Sequence, residues 1–280
     1  MPHHQRIVLQ LPHGAASQHF MREAAEMARL LGTEMCGVFV EDEAIHGLAA
    51  MPFARELRLP SHDWQPIDAG QIAADFQHAA TAAKRLLDTV AHTMGVTCGF
   101  EVRRGNPSGV VAELLCSSDI VVLGEPRLGT EALTQWFLTA WQTAMRSDAS
   151  VLLLPPQAIR RRGPVVALKA APGQRAVRTA AHIARIGGES LLLLSPPDDL
   201  LWRDAAATTA RSLGIPIERI SSRDITTVTE TGLAYALADF SERLLVLDRD
   251  GFDAAQEAAV LRVAAARATP VLLIGPAGEG

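Results

Sequence analysis

The sequence predicts an α/β protein of two tandem Rossmann-like domains, each a doubly wound, five-stranded parallel sheet with helices on both faces. Short apolar runs alternate with longer segments of helical period, which is typical of βαβ units. Five such runs occur in each half of the 280 residues. The halves also resemble each other in sequence, so the same fold is predicted twice.

Ten apolar runs supply the predicted strands. In chain order they are Arg6–Leu11, Glu34–Val40, Cys98–Arg103, Ile120–Leu123, Ser150–Leu154, Pro164–Leu168, Ser190–Leu194, Ile217–Ile220, Leu244–Leu247 and Val271–Ile274. Parallel neighbours need right-handed crossovers, and ligands of doubly wound sheets bind beyond the strand carboxyl ends where the strand order reverses. The loops after the first and fourth strands of each half are therefore the predicted functional loops.

The internal repeat sets the predicted domain boundaries. "AAEMARLLGTEMCGVFV" parallels "AAHIARIGGESLLLLSP", and "SDASVLLLPP" parallels "RATPVLLIGP". Between the halves, "PPQAIRRRGP" is rich in proline and arginine, as linkers often are. We expect a first domain over 1–155 with an inserted segment at 41–70, a linker over 156–163, and a second domain over 164–280.

Composition excludes several classes of protein. The chain is 48% apolar and has a formal charge of −5, divided as −6 in the first domain, −2 in the second and +3 in the linker arginines. Neither half has the basic surface that nucleic-acid binding requires. No apolar run is long enough to span a membrane, and three scattered cysteines fit a reducing compartment better than disulfides or a metal site. We expect a soluble cytoplasmic protein without a metal.

The segment "VRRGNPSGVVAELLCSSDIVVLGEPRLG" carries a family resemblance. It combines a strand, the turn Gly105, Asn106 and Pro107, a helix, and a strand that ends in Gly124. Asn106 suits the helix N-cap and Pro107 the first helical position. With the repeat, this segment resembles tandem members of the universal stress protein (UspA-like) family. The resemblance implies an adenine-nucleotide alpha-hydrolase-like fold and pairing between the last strands of the two domains.

ATP-binding members of that family end the fourth strand with G-x2-G-x9-G-[ST], which holds the phosphates. In this chain the four positions are Gly124, Arg127, Phe137 and Leu138, so only the first matches. A charge-assisted contact contributes roughly 1.5–3 kcal/mol. Losing two or three such contacts weakens a micromolar site to about millimolar or worse.

The family aspartate after the first strand is also missing, because Pro12 and Ala170 occupy its place in the two halves. The fourth-strand loop of the second half starts with Asp248 instead of glycine and adds Asp250 and Asp253. Three carboxylates repel a phosphate, so the resemblance implies degenerate nucleotide motifs in both halves.

A candidate ligand-binding cleft remains in the first half. Its predicted residues are Pro12, His13, Ser17, Val40, Gly105, Gly124, Arg127, Gly129 and Thr130. Arg127 is either a substitute phosphate ligand, since a guanidinium matches phosphate geometry, or a surface arginine paired with Glu125 or Glu131. Trp136, Phe137 and Trp141 have helical spacing and are predicted to form an apolar face against the sheet or a partner subunit.

The inserted segment at 41–70 is long enough to be a lid. We expect its piece "GLAAMPFARELRL" to form a short helix over the cleft, with Met51, Phe53, Leu57 and Trp64 as covering side chains. The alternative is an elaboration that shields a sheet edge or a dimer surface.

Three functional hypotheses follow from these patterns. The favoured one is a non-enzymatic stress-response or regulatory binding protein of the universal stress protein type, with ATP binding lost or much weakened. The second is an ATP-binding, slowly ATP-hydrolysing protein that uses only the N-terminal site. The third is a small-molecule sensor with a cleft under residues 41–70. No nucleophile elbow or carboxylate pair indicates catalysis.

The favoured hypothesis carries expectations about cofactors and partners. We expect no cofactor, with ATP and magnesium at the N-terminal site as the alternative. The two domains are expected to pair within one chain, and two chains to form a homodimer. A protein partner or a small molecule is expected as ligand, and neither a nucleic acid nor a membrane.

Overall fold

The structure is a computed structural model that describes residues 6–11, 18–58, 62–124, 131–155, 162–170 and 173–276. The strands are β1 Arg6–Leu11, β2 Glu34–Asp42, β3 Arg55–Arg58, β4 Asp63–Pro66, β5 Cys98–Gly105, β6 Ile120–Gly124, β7 Ser150–Leu154, β8 Val165–Leu168, β9 Leu191–Ser195, β10 Ile220–Asp224, β11 Leu244–Asp248 and β12 Val271–Ile274. The helices are α1 Gln18–Leu31, α2 Glu43–Ala49, α3 Ala69–Met94, α4 Pro107–Leu114, α5 Glu131–Arg146, α6 Arg175–Gly187, α7 Leu200–Ser212, α8 Glu230–Ala236 and α9 Ala254–Arg267. Within the described ranges, no helix is long and apolar enough to cross a membrane.

Ten strands form one sheet in the order β10-β9-β8-β11-β12-β7-β6-β1-β2-β5. Each half is a parallel, doubly wound sheet whose strand order reverses beside its first strand, so the predicted fold class is confirmed. The halves join through β7 and β12, which pair antiparallel with Leu152 opposite Leu272. This is the pairing of last strands that the family resemblance implies.

Two apolar layers cover the sheet. Alternate residues of β1, such as Ile7 and Leu9, belong to a cluster that includes Met21 of α1, Leu87 of α3 and Ile183 of α6. The opposite face packs on α5, α8 and α9. Because both clusters contain residues of both halves, the two halves share continuous cores across the β7–β12 seam.

Polar contacts also join the halves. Arg243, just before β11, donates from Nη2 to Glu26 Oε1 of α1 at 2.7 Å, and the Arg243 side chain is 7% exposed. His182 of α6 hydrogen-bonds the backbone of Leu31 at the end of α1. At the seam, the backbone N–H of Gly275 donates to Ser150 Oγ at 3.0 Å.

The turn that carries the family resemblance folds as the sequence predicts. Asn106 accepts a hydrogen bond from the backbone N–H of Gly109 at 3.3 Å, and α4 starts at Pro107. Gly105 has a φ of +152°, and a Cβ there would lie 2.8 Å from Val110 Cγ2. Glycine is therefore required both by backbone conformation and by the close approach of α4.

Two predicted elements are wrong. Residues Ile217–Arg219 form a 3-10 turn, and the strand begins only at Ile220 and continues to Asp224. The piece expected as one short helix over the cleft is divided between α2, which ends at Ala49, and the strand β3. β3 pairs antiparallel with β4 in a separate two-stranded hairpin, so cross-strand pairing, such as that of Leu57 with Trp64, outweighs helix propensity in this piece.

Candidate functional site

The two crevices at the carboxyl ends of the sheet strands are the candidate functional sites. In the first half the strand order reverses between β1 and β6, and in the second half between β8 and β11. Strand order alone thus selects the loops that the sequence predicted as functional. Of the predicted cleft residues, the following lie outside the described residues: Pro12, His13, Ser17, Arg127, Gly129 and Thr130.

Gly124 ends β6 at the first crevice, and an aromatic ring lies against it. A Cβ at Gly124 would be 3.0 Å from Phe20 Cε2, because Phe20 of α1 projects toward the end of β6. A glycine in a phosphate loop leaves room for a ligand to approach the backbone. Here the ring of Phe20 occupies space beside that glycine.

The last two positions of the family motif fall inside helix α5. α5 starts at Glu131, so Phe137 and Leu138 are well beyond its first turn. Only the first four N–H groups of a helix lack an intrahelical acceptor, so those of Phe137 and Leu138 are engaged in the helix. As predicted, Phe137 and Trp141 pack on the sheet, and their ring centroids are 6.3 Å apart.

Val40 and Gly105 lie away from the reversal of strand order. Val40 is 6% exposed on β2 and packs with Val8 and Cys36 under α4. Gly105 ends β5, the outer strand on this side of the ten-stranded sheet. The structure therefore places these two predicted residues in the scaffold around the crevice.

The four predicted covering side chains are exposed: Met51 by 46%, Phe53 by 78%, Leu57 by 43% and Trp64 by 62%. Preceding them, α2 packs on α3 and β5, where His46 stacks on Phe76 with ring centroids 4.8 Å apart. The inserted segment is thus anchored beside the outer edge of the sheet, and its action as a lid stays a prediction.

In the second crevice, Asp248 occupies the place of the first motif glycine and its side chain is 3% exposed. Arg175, the first residue of α6, brings Nε to 3.3 Å from Asp248 Oδ1 and Nη2 to 3.1 Å from Asp250 Oδ2. Its Nη1 donates to the backbone carbonyl of Gly275 at 2.7 Å. One guanidinium therefore joins the end of β11, the following turn and the end of β12.

Asp248 also meets the amino end of α6. Burial raises the pKa of the Asp248 carboxyl, while Arg175 and a hydrogen bond from the Ala176 backbone lower it, and the net direction is upward. A helix amino terminus with free N–H groups is a favourable place for an anion. In the second half, the anion at the amino terminus of α6 is the carboxylate of Asp248.

The turn after β11 packs directly on the end of β8. A Cβ at Gly251 would collide with the backbone carbonyl of Ala170, so glycine is needed for this contact. Arg249 of the same turn reaches the first half, where Nη2 donates to the Ser147 carbonyl at 2.6 Å and Nη1 to that of Ala149 at 3.3 Å. Burial lowers the pKa of the Arg249 guanidinium.

A second cation of this crevice is paired as well. Lys169 follows β8 and forms an ion pair with Asp199, the N-cap residue of α7. Asp199 accepts a hydrogen bond from the Trp202 backbone N–H at 3.3 Å. The positive charges of Lys169 and Arg175, which could attract a phosphate, are both matched by carboxylates of the chain.

An open groove of about 610 Å³ lies farther along the second half. The loop after β10 and the first turns of α8 and α9 form it, with Thr227, Thr229 and Gln256 among its polar lining and Ala259 at its base. This groove was not predictable from the sequence, because its lining combines segments about 30 residues apart without a motif.

Sequence analysis also missed Phe20 and Arg175. Both lie in the first turn of the helix that follows the first strand of their half. The repeat itself contains the signal, since the alignment of "AAEMARLLG" with "AAHIARIGG" places Phe20 opposite Ala176 and His19 opposite Arg175. A comparison of helix starts would have directed attention to these positions.

No protein-family model and no curated protein matches the sequence. Solved structures do match. A universal stress protein from Archaeoglobus fulgidus is 12% identical, with full coverage of both chains and a TM-score of 0.65. A putative universal stress protein from Pseudomonas aeruginosa is 11% identical, with 98% of this chain and 94% of that chain covered and a TM-score of 0.55.

The cytoplasmic domain of a prokaryotic cation chloride cotransporter is also similar, at 14% identity, 99% and 97% coverage and a TM-score of 0.52. The class defined by these observations is a doubly wound α/β protein of two joined halves. Within that class, the chain has the fold of the universal stress proteins, as its Gly-Asn-Pro turn and internal repeat predict.

Proposed function

We propose that this chain is a non-enzymatic regulatory binding protein of the universal stress protein type, with nucleotide binding lost from the second half and much weakened in the first. The observation that carries the proposal is the filled second crevice, where the turn containing Gly251 packs on Ala170 and Asp248 pairs with Arg175. Fold alone does not determine function in this architecture, so the side chains in the two crevices carry the proposal.

Among the described residues, the second crevice offers a nucleotide neither free space between Gly251 and Ala170 nor an unpaired cation at Lys169 or Arg175. Backbone-to-backbone packing of Gly251 on Ala170 closes the gap between the ends of β8 and β11. Asp248 meets the amino end of α6, and a phosphate there would displace a carboxylate already paired with Arg175. Exchanging one paired anion for another offers little net gain in free energy.

The first crevice retains one glycine of the motif and lacks most of the groups that would hold a phosphate. Phe20 fills space beside Gly124, and the N–H groups of positions 137 and 138 belong to α5. Because two or three phosphate ligands are missing, each of which would contribute roughly 1.5–3 kcal/mol, we expect an ATP dissociation constant of about 1 mM or weaker. Arg127 is the side chain that could restore affinity in the rival, ATP-binding hypothesis.

Calorimetry of the full chain with ATP and magnesium tests the proposal. We expect no saturable heat at micromolar ATP for the natural chain. Micromolar binding that is lost in Arg127→Glu and kept in Arg85→Glu, an exposed charge change on α3, would establish the ATP-binding hypothesis instead. Micromolar ATP binding that persists in Arg127→Glu would also refute the proposed loss of ATP affinity and would indicate a site that does not use Arg127.

A second candidate function, small-molecule sensing, is favoured by the groove of about 610 Å³ in the second half. Its volume is in the range of small-molecule sites, and hydroxyl groups beside an apolar base suit a mixed polar and apolar ligand. Native mass spectrometry of freshly purified protein against a metabolite panel tests it. Binding should be lost in Thr227→Trp, which fills the groove, and kept in Thr208→Trp, at an exposed position of α7. An empty groove across the panel contradicts sensing.

A further inference from the structure

The inserted segment presents an unusual concentration of exposed apolar side chains. Among the described residues between 45 and 64, six large apolar side chains expose between 38% and 78% of their surface: Ile45, Leu48, Met51, Phe53, Leu57 and Trp64. We call these six residues the hairpin surface. Contiguous apolar patches of several hundred Å² on a monomer usually mark interaction sites.

The hairpin formed by β3 and β4 would be stabilised by burial of its exposed apolar face against another surface. In the antiparallel register of β3 and β4, Leu57 lies directly opposite Trp64, so both side chains project from the same face. The two strands form a sheet of their own, joined to the preceding chain where the Ile67 N–H donates to the Ala54 carbonyl. An isolated two-stranded hairpin is marginally stable in water, and burial of its apolar face stabilises it.

The base of the segment holds this surface in place. His46 of α2 stacks on Phe76 of α3 and lies 3.3 Å from Glu41, which also pairs with Arg104 of β5 at 3.3 Å. Ile45 and Leu48, the members of the hairpin surface in α2, are therefore presented from an anchored base. Pre-organisation of this kind reduces the entropy lost on association.

We propose that the hairpin surface is the contact between two copies of this chain, related by a two-fold axis. The two aromatic side chains expose roughly 200–350 Å², and the four aliphatic ones add about 100–200 Å². Because apolar atoms form about 57% of a typical interface, burial of all of this exposed area would give an interface of roughly 550–950 Å² per protomer. That range includes the ~800 Å² per partner of a stable complex.

Charge favours a second copy over an anionic lipid surface. The hairpin carries Arg55, Glu56, Arg58 and Asp63, so it has as many cations as anions, and a two-fold contact can set the basic positions of one copy against the acidic positions of the other. Residues 41–70 as a whole contain six acidic and two basic side chains, which disfavours an anionic lipid surface. Of the acids outside the hairpin, Glu41 pairs with Arg104, and Asp42 and Asp68 accept hydrogen bonds at helix amino ends. This interface is independent of the proposed function.

Sedimentation velocity of the full chain, at concentrations up to about 100 µM, tests the interface. We expect a dimer, with a dissociation constant at least 100-fold higher in the double variant Phe53→Asp/Trp64→Ser, since aromatic anchors contribute most at interfaces. Leu201→Asp on α7 is the matched control, because Leu201 is 86% exposed and outside the hairpin surface. Thermal unfolding establishes that each variant is folded.

A natural chain that stays monomeric, or a dimer that persists unchanged in the double variant, overturns the proposal. Binding of the natural chain to phosphatidylcholine or phosphatidylglycerol vesicles without dimerisation identifies a lipid occupant and also overturns it. A charge-reversal experiment tests the proposed contact more specifically. The double variant Arg55→Glu/Arg58→Glu and the double variant Glu56→Lys/Asp63→Lys, mixed together, should form heterodimers more readily than either variant forms homodimers.

Discussion

The ion pair between Arg243 and Glu26 is predicted to hold the two halves in their relative position. Arg243 is 7% exposed and Glu26 19%, and the two side chains approach to 2.7 Å across the seam. Replacing Arg243 by methionine keeps the length and apolar character of the side chain and removes its charge. The carboxylate of Glu26 then loses its partner from the second half.

The expected cost follows from burial and from the remaining partners. Breaking a fully buried ion pair costs about 3–5 kcal/mol. Glu26 is partly exposed and keeps Arg29 at 2.8 Å, so about 2 kcal/mol is expected for Arg243→Met. Burial alone would raise the pKa of Glu26, but its hydrogen bonds with Arg29 and Arg243 lower it, which shows that both arginines favour the charged form.

Urea unfolding of the full chain measures this cost, and Arg29→Met is the matched control. Arg29 contacts the same carboxylate within one helix and is 43% exposed, so its loss should cost at most about 0.5 kcal/mol. A double-mutant cycle with Glu26→Gln should give a coupling energy of about 1 kcal/mol or more for Arg243. Equal costs for the two arginine variants, or additivity in the cycle, would refute the reasoning.

Three further predictions concern the same seam and the second half. Burial lowers the pKa of His182 below 6.5 in the folded state, so stability is complete above about pH 6.5 and falls as pH drops toward the folded pKa; His182→Gln should flatten this slope in thermal unfolding. Gly251→Ala should cost roughly 1–3 kcal/mol in urea unfolding, and Gly173→Ala, where a Cβ meets no atom within 4 Å, much less. Arg267→Ala leaves the buried carboxylate of Glu242 without its guanidinium and should lower the free energy of unfolding by about 3–5 kcal/mol. The exposed Arg262→Ala should lower it by at most about 1 kcal/mol. Equal costs within either matched pair, or an unchanged slope in the histidine variant, would contradict the corresponding prediction.

Strands with an apolar pattern were predictable, and those without one were not. β1, β7 and β12 have the predicted bounds because each is a buried run between helices or loops. β10 lies at the other outer edge of the sheet, so Ser221 and Ser222 are tolerated in it and the apolar pattern ends before the strand does. β3 and β4 were missed because their apolar residues face solvent, where burial does not select between helix and strand.

For the candidate site, the sequence identified the missing phosphate ligands but not what replaces them. The mismatch at Asp248 is visible in the repeat, and its three-carboxylate loop suggested repulsion of a ligand. In the structure, Asp248 is instead paired with Arg175 and with the amino end of α6. That pairing depends on side-chain direction at two loop ends about 70 residues apart, which neither composition nor spacing encodes.

The two halves alter the same place through residues of opposite size. In the first half, glycine at position 124 accommodates the ring of Phe20, and in the second half the small Ala176 offers its backbone N–H to the carboxylate of Asp248. The residue sizes are complementary in both halves. In the first half the large residue is on the helix and the small one on the strand, and in the second half the small residue is on the helix and the large one on the strand. Asp248→Gly alone would therefore leave Ala176 beside a gap and Arg175 without its buried partner. Restoration of an anion site in the second half needs the Gly251 turn to move off Ala170 as well, so a single substitution should lower stability without producing phosphate binding.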